Sequence, residues 1–288
     1  MLVLACGGEA PPAAPPPLAP GAVWFDDWYT VTRLDGRTFA IAEPRYEQHN
    51  VNYLIAGDTR AVLFDTGPGV RDIRPVVASL TELPIVASFS HLHFDHVGGQ
   101  AAFASVASLD HPTIRARTAP DGAFTPALLQ HGAPGRPTFR IAEWWAPDAT
   151  VDLGGRALRV LSAPGHTPES LALYDAAAGQ LFSGDTLYPG DLFAFAPGAD
   201  LVAYRDTARR LLDLTAGRPD VAIYGAHVQD VSASPRQGLG DLEALERATD
   251  DLVADPAHAP PWTLAWFEWI PTRRYAFGGG LVILAPLY

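Results

Sequence analysis

The chain has 288 residues, 48% of them apolar and 10% aromatic, with a formal net charge of −12. That much apolar material can bury a substantial core, which excludes a disordered chain, and the negative charge argues against nucleic acid or anionic membrane surfaces as main partners. All 20 positive charges are arginine, so no lysine is available as a base or Schiff-base former, and the single cysteine, Cys6, excludes an internal disulfide framework or a cysteine-rich zinc site.

In chain order, Met1-Leu2-Val3-Leu4-Ala5-Cys6 is similar to the end of a bacterial lipoprotein signal, where a short apolar run and a small residue precede a cysteine that becomes lipidated. The charged part of such a signal is absent, which implies a start assigned too late or a trimmed chain; an ordinary N-terminal cysteine is the alternative. Residues 11–20 are mostly proline and alanine, the composition of a semi-rigid tether. The expected organisation is a truncated signal and tether over 1–22 and one domain over 23–288, completed by a helix and strands from about 240. A periplasmic or outer-surface location is expected, or a cytoplasmic one if Met1 is the true start. No stretch reaches the roughly 20 apolar residues of a membrane span.

Val23 to Tyr29 and Thr38 to Ala42 read as short strands around Asp35-Gly36. Val51 to Ala56 and Ala61 to Phe64 read as a strand pair joined at Gly57-Asp58, ending in the glycine-rich Asp65-Thr66-Gly67-Pro68-Gly69. Arg71 to Leu80 reads as a helix, Ile85 to Phe89 as a buried strand, and Ala101 to Ala104 as a short helix. Residues 105–150 are rich in proline and glycine, carry Trp144-Trp145, and read as a long functional loop. Val151 to Leu161 is a hairpin about Gly154-Gly155, with paired strands over Ser170 to Tyr174 and Gln180 to Ser183. Helices are expected over Ala203 to Leu214 and Gly240 to Val253, and strands over Val221 to Tyr224, Trp262 to Trp269 and Leu281 to Leu284.

The chemistry concentrates at His91-Leu92-His93-Phe94-Asp95-His96, three imidazoles and a carboxylate in six positions directly after a buried strand. Divalent metals such as zinc take imidazole nitrogen and carboxylate oxygen. Alternating side chains can direct His91 and His93 to one metal and leave Asp95 and His96 for a second. Packing alone gives no reason to crowd so many ligand groups. Three later strand ends offer His166, Asp185 and His227, each within two residues of a glycine. His49, His111, His131 and His258 are read as non-ligands.

This ordered set, with Asp65-Thr66-Gly67 upstream, resembles the metallo-β-lactamase superfamily of hydrolases over roughly Val23 to Val228. The resemblance implies an α/β fold, the four-layer αββα sandwich with metals at one sheet edge. It implies that His91, His93 and His166 hold one metal, that Asp95, His96 and His227 hold the other, and that Asp185 bridges them. Asp65 would orient the ligand loop through hydrogen bonds. The cofactors implied are two divalent ions, zinc first, with iron or manganese as alternatives.

A hydroxide between two cations is a strong nucleophile at neutral pH, because the metals lower the pKa of bound water from about 15.7 to about 7. Asp95 is placed to orient it and to pass a proton to the leaving group. A bridging aspartate is general in the lactonases, glyoxalase-II-like thioesterases and phosphodiesterases of the superfamily rather than in its true β-lactamases. The expected reaction is hydrolysis of a small-molecule lactone, ester or thioester. Tyr188, three residues after Asp185 as in the acyl-homoserine lactonases, is the candidate oxyanion donor, with packing as the alternative. Phosphodiesterase, weak β-lactamase and non-hydrolytic di-iron redox readings are the alternatives. The aromatic tail (Trp262, Trp266, Phe267, Trp269) and Trp144-Trp145 are candidates for an acyl pocket or for core, and Arg273-Arg274 for a carboxylate site or a solvated pair.

Overall fold

The computed structural model describes residues 16–133, 135–262, 272–278 and 281–286. Cys6, Trp266, Phe267 and Trp269 lie outside these residues, and with them the lipid-anchor reading.

Strands Val51–Ala56 and Ala61–Phe64 pair antiparallel as expected, and all of their residues are buried. Side chains alternate between faces, so burial of a whole strand requires a layer on each side. Val51, Tyr53, Ile55, Val62 and Phe64 join one apolar cluster, while Leu54, Ala56, Ala61 and Leu63 join another. The first cluster continues into a second sheet through Leu158, Val160, Leu171, Leu173, Phe182 and Tyr224. The other is covered by helix Arg74–Leu80, which contributes Val76 and Val77. Outside the second sheet lie helices Leu201–Leu214 and Leu239–Ala254, whose Tyr204, Ala208, Leu211, Leu242, Leu245 and Leu252 meet Ala172, Leu181 and Ile223. The result is the four-layer αββα sandwich.

The first sheet has nine strands among the described residues. In its middle, Ala61–Phe64, Ile85–Ser88, Val106–Leu109 and Phe139–Trp145 run parallel. Their C-terminal ends therefore share one edge, where the chain emerges into Asp65 and the histidine run. The second sheet, from Thr150–Asp152 to Arg236–Gln237, has six strands among the described residues. A third holds Leu281–Pro286 between Asp191–Phe193 and Thr272–Phe277.

Two expectations change. The strand expected over Val23 to Tyr29 stops at Trp24, because the Asp26 carboxylate accepts the backbone N–H groups of Trp28 (2.8 Å) and Tyr29 (2.7 Å) and turns the chain. Thr30–Arg33 then returns antiparallel to it. Residues 105–150 are not a long loop. They supply Val106–Leu109, Ala123–Phe124 and Phe139–Trp145 to the first sheet, with one-turn helices Pro112–Arg115 and Leu128–His131 between. Trp145 is buried between the sheets, and Trp144 lies under the Arg115 guanidinium at 3.8 Å, so this pair packs the sheet. In the tail, Arg274 lies over the Trp262 ring at 5.3 Å. No helix among the described residues is long and apolar enough to cross a membrane.

Candidate metal centre

Asp65 closes its strand in a left-handed conformation, φ +66°, which few side chains tolerate, aspartate and asparagine among them. The turn aims its carboxylate at the next strand end. Oδ1 accepts the Ser90 N–H at 2.6 Å, and Oδ2 accepts the Ser90 hydroxyl at 2.9 Å and the His96 Nδ1–H at 3.0 Å. Thr66 adds its N–H and hydroxyl to the His96 carbonyl, at 3.0 and 3.1 Å. The short helix Phe94–Val97 turns Asp95 and His96 back toward the sheets. Asp185 arrives from strand Gln180–Gly184, and Gly184 is required there. Its φ is +55°, and a Cβ would stand 2.4 Å from that of Ser90.

His91, His93 and His166 converge: the Nε2 of His91 is 2.8 Å from Nδ1 of His93, and His166 Nε2 is 3.2 and 3.0 Å from those two atoms. Asp95, His96 and His227 form a second group, with Asp95 Oδ2 3.3 Å from His96 Nε2 and 3.4 Å from His227 Nε2. Asp185 stands between the groups. Its Oδ1 is 3.2 Å from His227 Nε2 and 3.5 Å from His96 Nε2; its Oδ2 is 3.5 Å from His166 Nε2 and 3.9 Å from His91 Nε2. These groups, with His91, His96 and Asp185 as a third, satisfy the spacing of metal ligands.

The outer ring nitrogens decide the tautomers. The Nδ1 atoms of His96, His166 and His227 face oxygens that only accept: Asp65, the Phe193 carbonyl (2.6 Å) and the Gln48 carbonyl (2.9 Å). His91 Nδ1 lies 3.0 Å from the Ser90 hydroxyl, whose proton goes to Asp65. Each Nδ1 therefore donates, and the four Nε2 atoms point inward, each with a free lone pair when its ring is neutral. Asp185 Oδ1 is buried without a hydrogen-bond donor. Lone pairs and carboxylates crowded without donors are repulsive in an apolar interior, and cations relieve that repulsion. The residues fit a metal pair.

Electrostatics divide the centre. Burial and neighbouring imidazoles push His91 well below the usual histidine range and His93 to about 3. Burial also lowers His166, against the opposing pull of Asp185. In the other half burial is outweighed: Asp95, Asp185 and Asp65 hold His96 well above its usual range, and Asp185 raises His227. Burial likewise opposes ionisation of Asp95 and Asp185. His96 chiefly draws Asp95 below the usual carboxylate range, and His227 does so for Asp185. One half holds neutral imidazoles and the other demands positive charge.

Every expected ligand position is thus drawn into one cluster. Tyr188 lies beside it, its ring 5.0 Å from that of His227, but its hydroxyl donates to the Asp191 carbonyl; a bond to a substrate oxyanion requires that one to be given up. His49, His111, His131 and His258 stand outside the ligand groups found among the described residues. Sequence reasoning missed Ser90, which joins Asp65 to two histidines, and Asn50, whose Nδ2 donates to the Asp95 carbonyl (2.9 Å) and Oδ2 (3.2 Å). It also missed Glu43, a fully buried carboxyl accepting from Trp28 Nε1 at 2.8 Å and Asn52 Nδ2 at 3.2 Å. Only Ser90, one residue before the histidine run, carried a local signal.

The chain is similar to known proteins. The chain is 30% identical over 215 residues to the human protein named acyl-coenzyme A thioesterase MBLAC2, covering 65% of this chain and 77% of that one. It is 33% identical over 172 residues to a hydroxyacylglutathione hydrolase of Synechococcus sp., covering 58% and 61%. Among solved structures, a metallo-beta-lactamase from Pontibacter korlensis superposes with a TM-score of 0.59 at 18% identity, over 77% of this chain and 99% of that one, a likeness of fold. Residues 46–227 match the family model described as the metallo-beta-lactamase superfamily. The chain belongs to the metallo-β-lactamase superfamily of hydrolases.

Proposed function

We propose that this chain is a two-metal hydrolase of thioesters, with esters and lactones as its nearest alternative substrates. The observation that carries the reading is Asp185, one oxygen facing each group of ligands. The named activities of the acyl-coenzyme A thioesterase and the hydroxyacylglutathione hydrolase both concern thioesters, which supports that class over lactones.

His91, His93 and His166 would hold one ion, Asp95, His96 and His227 the other, and Asp185 both. When bound, such ions supply Lewis acidity toward the acyl oxygen and lower the pKa of an attacking water. Zinc suits the nitrogen-rich donor set, and iron or manganese would also fit it. Asp65 and Ser90 keep the lone pairs of His91 and His96 inward. Asp95, steadied by Asn50, orients the water and carries a proton toward the departing group. A thiol leaving group, with a pKa of about 8.5, makes a small demand on that proton transfer. Tyr188 walls the His227 side.

The test is metal analysis of protein purified without chelator, followed by a panel of thioesters, lactones and bis-p-nitrophenyl phosphate with Asp185→Asn as control. Close to two metals per chain and thioester turnover are expected, with kcat/KM falling at least ~100-fold in the variant. A folded, metal-free protein overturns the reading. Turnover of the phosphodiester alone would move the chain to another hydrolase class, and oxygen consumption by an iron form to redox chemistry. Lipid attachment at Cys6 is a separate proposal, tested by membrane fractionation of the expressed full reading frame; soluble protein overturns it.

A further inference from the structure

The rim of the centre is chemically lopsided. Beside the Asp95–His96–His227 half runs the segment 43–50, pinned by Asn50 to Asp95 and by the Gln48 carbonyl to His227, and it offers Arg45, Tyr46, Glu47 and His49. Beside the other half the chain carries several apolar side chains. Phe94 directly follows His93, is half-buried, and its ring lies 6.3 Å from that of His131. That contact hangs the one-turn helix Leu128–His131, which ends at Gly132, on the ligand loop. The helix holds Leu128 and Leu129 56% and 71% exposed, and Leu129 is the most exposed large apolar side chain among the described residues. On the far side of His93 stands His166, tied to the Phe193 carbonyl; Phe193 and Phe195 are half-buried, with ring centroids 5.4 Å apart.

Two adjacent exposed leucines on a short helix fastened to a ligand loop are not needed to close the core. Contiguous exposed apolar surface at a site mouth is characteristic of a binding surface. We infer that Phe94, Leu128, Leu129, Phe193 and Phe195 form an acyl-chain subsite, so that the acyl group lies over the His91–His93–His166 half and the polar thiol carrier leaves past Tyr46 and Arg45. This assignment rests on the thioester reading above. Its occupant follows from position and chemistry: these side chains stand on segments fastened to His93 and His166, and the carbon chain is the apolar part of such a substrate.

The test holds the leaving group constant, using S-acyl-N-acetylcysteamine thioesters with acyl chains of two to ten carbons and the metal-loaded full chain. Each methylene buried should raise kcat/KM by about fourfold until the rim is spanned. Leu128→Ser together with Leu129→Ser should flatten that slope, with a loss that grows with chain length, and both side chains are exposed, so the fold is spared. Leu129→Met should keep the slope. A flat profile in the unaltered protein, or an equal loss for acetyl and decanoyl substrates in the double variant, overturns the subsite and leaves the hydrolase reading intact. No turnover at any length overturns both. A rim that serves a lipid surface or a second copy of the chain would keep the slope in the double variant, and would show instead as lost sedimentation with phosphatidylcholine vesicles or a change in oligomeric state; either outcome overturns the assignment.

Discussion

The sandwich buries ionisable groups at both ends, and the ends are finished differently. At the end remote from the histidines, Arg156 places Nε 2.6 Å from Asp175 Oδ2, Nη1 on the carbonyls of Arg37 and Ala56, and Nη2 on Thr38 and Gln180. Every guanidinium nitrogen has a partner, and the chain itself provides the countercharge. This hub ties strand Ala157–Ser162 to Thr38–Ala42 and Val51–Ala56, joining the two sheets. At the metal end, the Nε2 atoms of four histidines turn inward and the Asp185 Oδ1 is buried without a hydrogen bond. A buried charge completed by its own chain serves the fold. One whose completion needs an added ion marks a site.

Breaking the hub should give the largest effect. Arg156→Met strands Asp175 as a buried charge and should cost about 3–5 kcal/mol, lowering Tm by roughly 10 °C. Metal content per folded chain should not change. A parallel loss of metal would show that the two ends are coupled rather than independent.

Glu43 tests the boundary between the two kinds of burial, since it is fully buried and both of its partners are neutral donors. Burial pushes its carboxyl up to about 7, with nearby Asp95 adding to the rise. A carboxyl raised in the folded state contributes its full stability below the unfolded value of about 4.5, and loses it as pH rises through 7. Glu43→Gln, which stays neutral, should gain up to about 3 kcal/mol over the parent above pH 7, and nothing below pH ~4.5, in urea unfolding with chelator present. A pH-independent difference would mean that Glu43 is not ionising in the interior.

Asp65→Asn keeps the shape but weakens the hold on Ser90 and His96. Metal affinity should fall about 10- to 100-fold by competition with a chromophoric chelator. An unchanged affinity would leave Asp65 only the shape of its turn.

Tyr188→Phe should give the smallest change. Loss of the Asp191 hydrogen bond is worth about 1 kcal/mol of stability, and kcat should stay within ~3-fold. A loss of ~100-fold or more would restore the oxyanion role drawn from its position after Asp185.

The ligand set was legible in the chain because its members are chemically distinctive and close together, or sit at the ends of recognisable strands. His91 to His96 declare themselves, and two largely apolar runs either side of Gly57-Asp58 made Val51–Ala56 and Ala61–Phe64 visible to the residue. Residues 105–150 were illegible for the opposite reason. Proline and glycine crowd the segments between their strands, and Val106–Leu109 and Phe139–Trp145 are held by parallel neighbours distant in sequence.

What tightens the ligands was hidden too. The partners of His166 and His227 are the backbone carbonyls of Phe193 and Gln48, and any residue type presents a carbonyl. Asn50 reaches Asp95 across a gap of 45 residues. Composition and spacing thus settle which groups supply the chemistry, because donor chemistry is a property of residue type. Packing settles how they are aimed and what surrounds them, because aim depends on contacts between segments that share no local pattern.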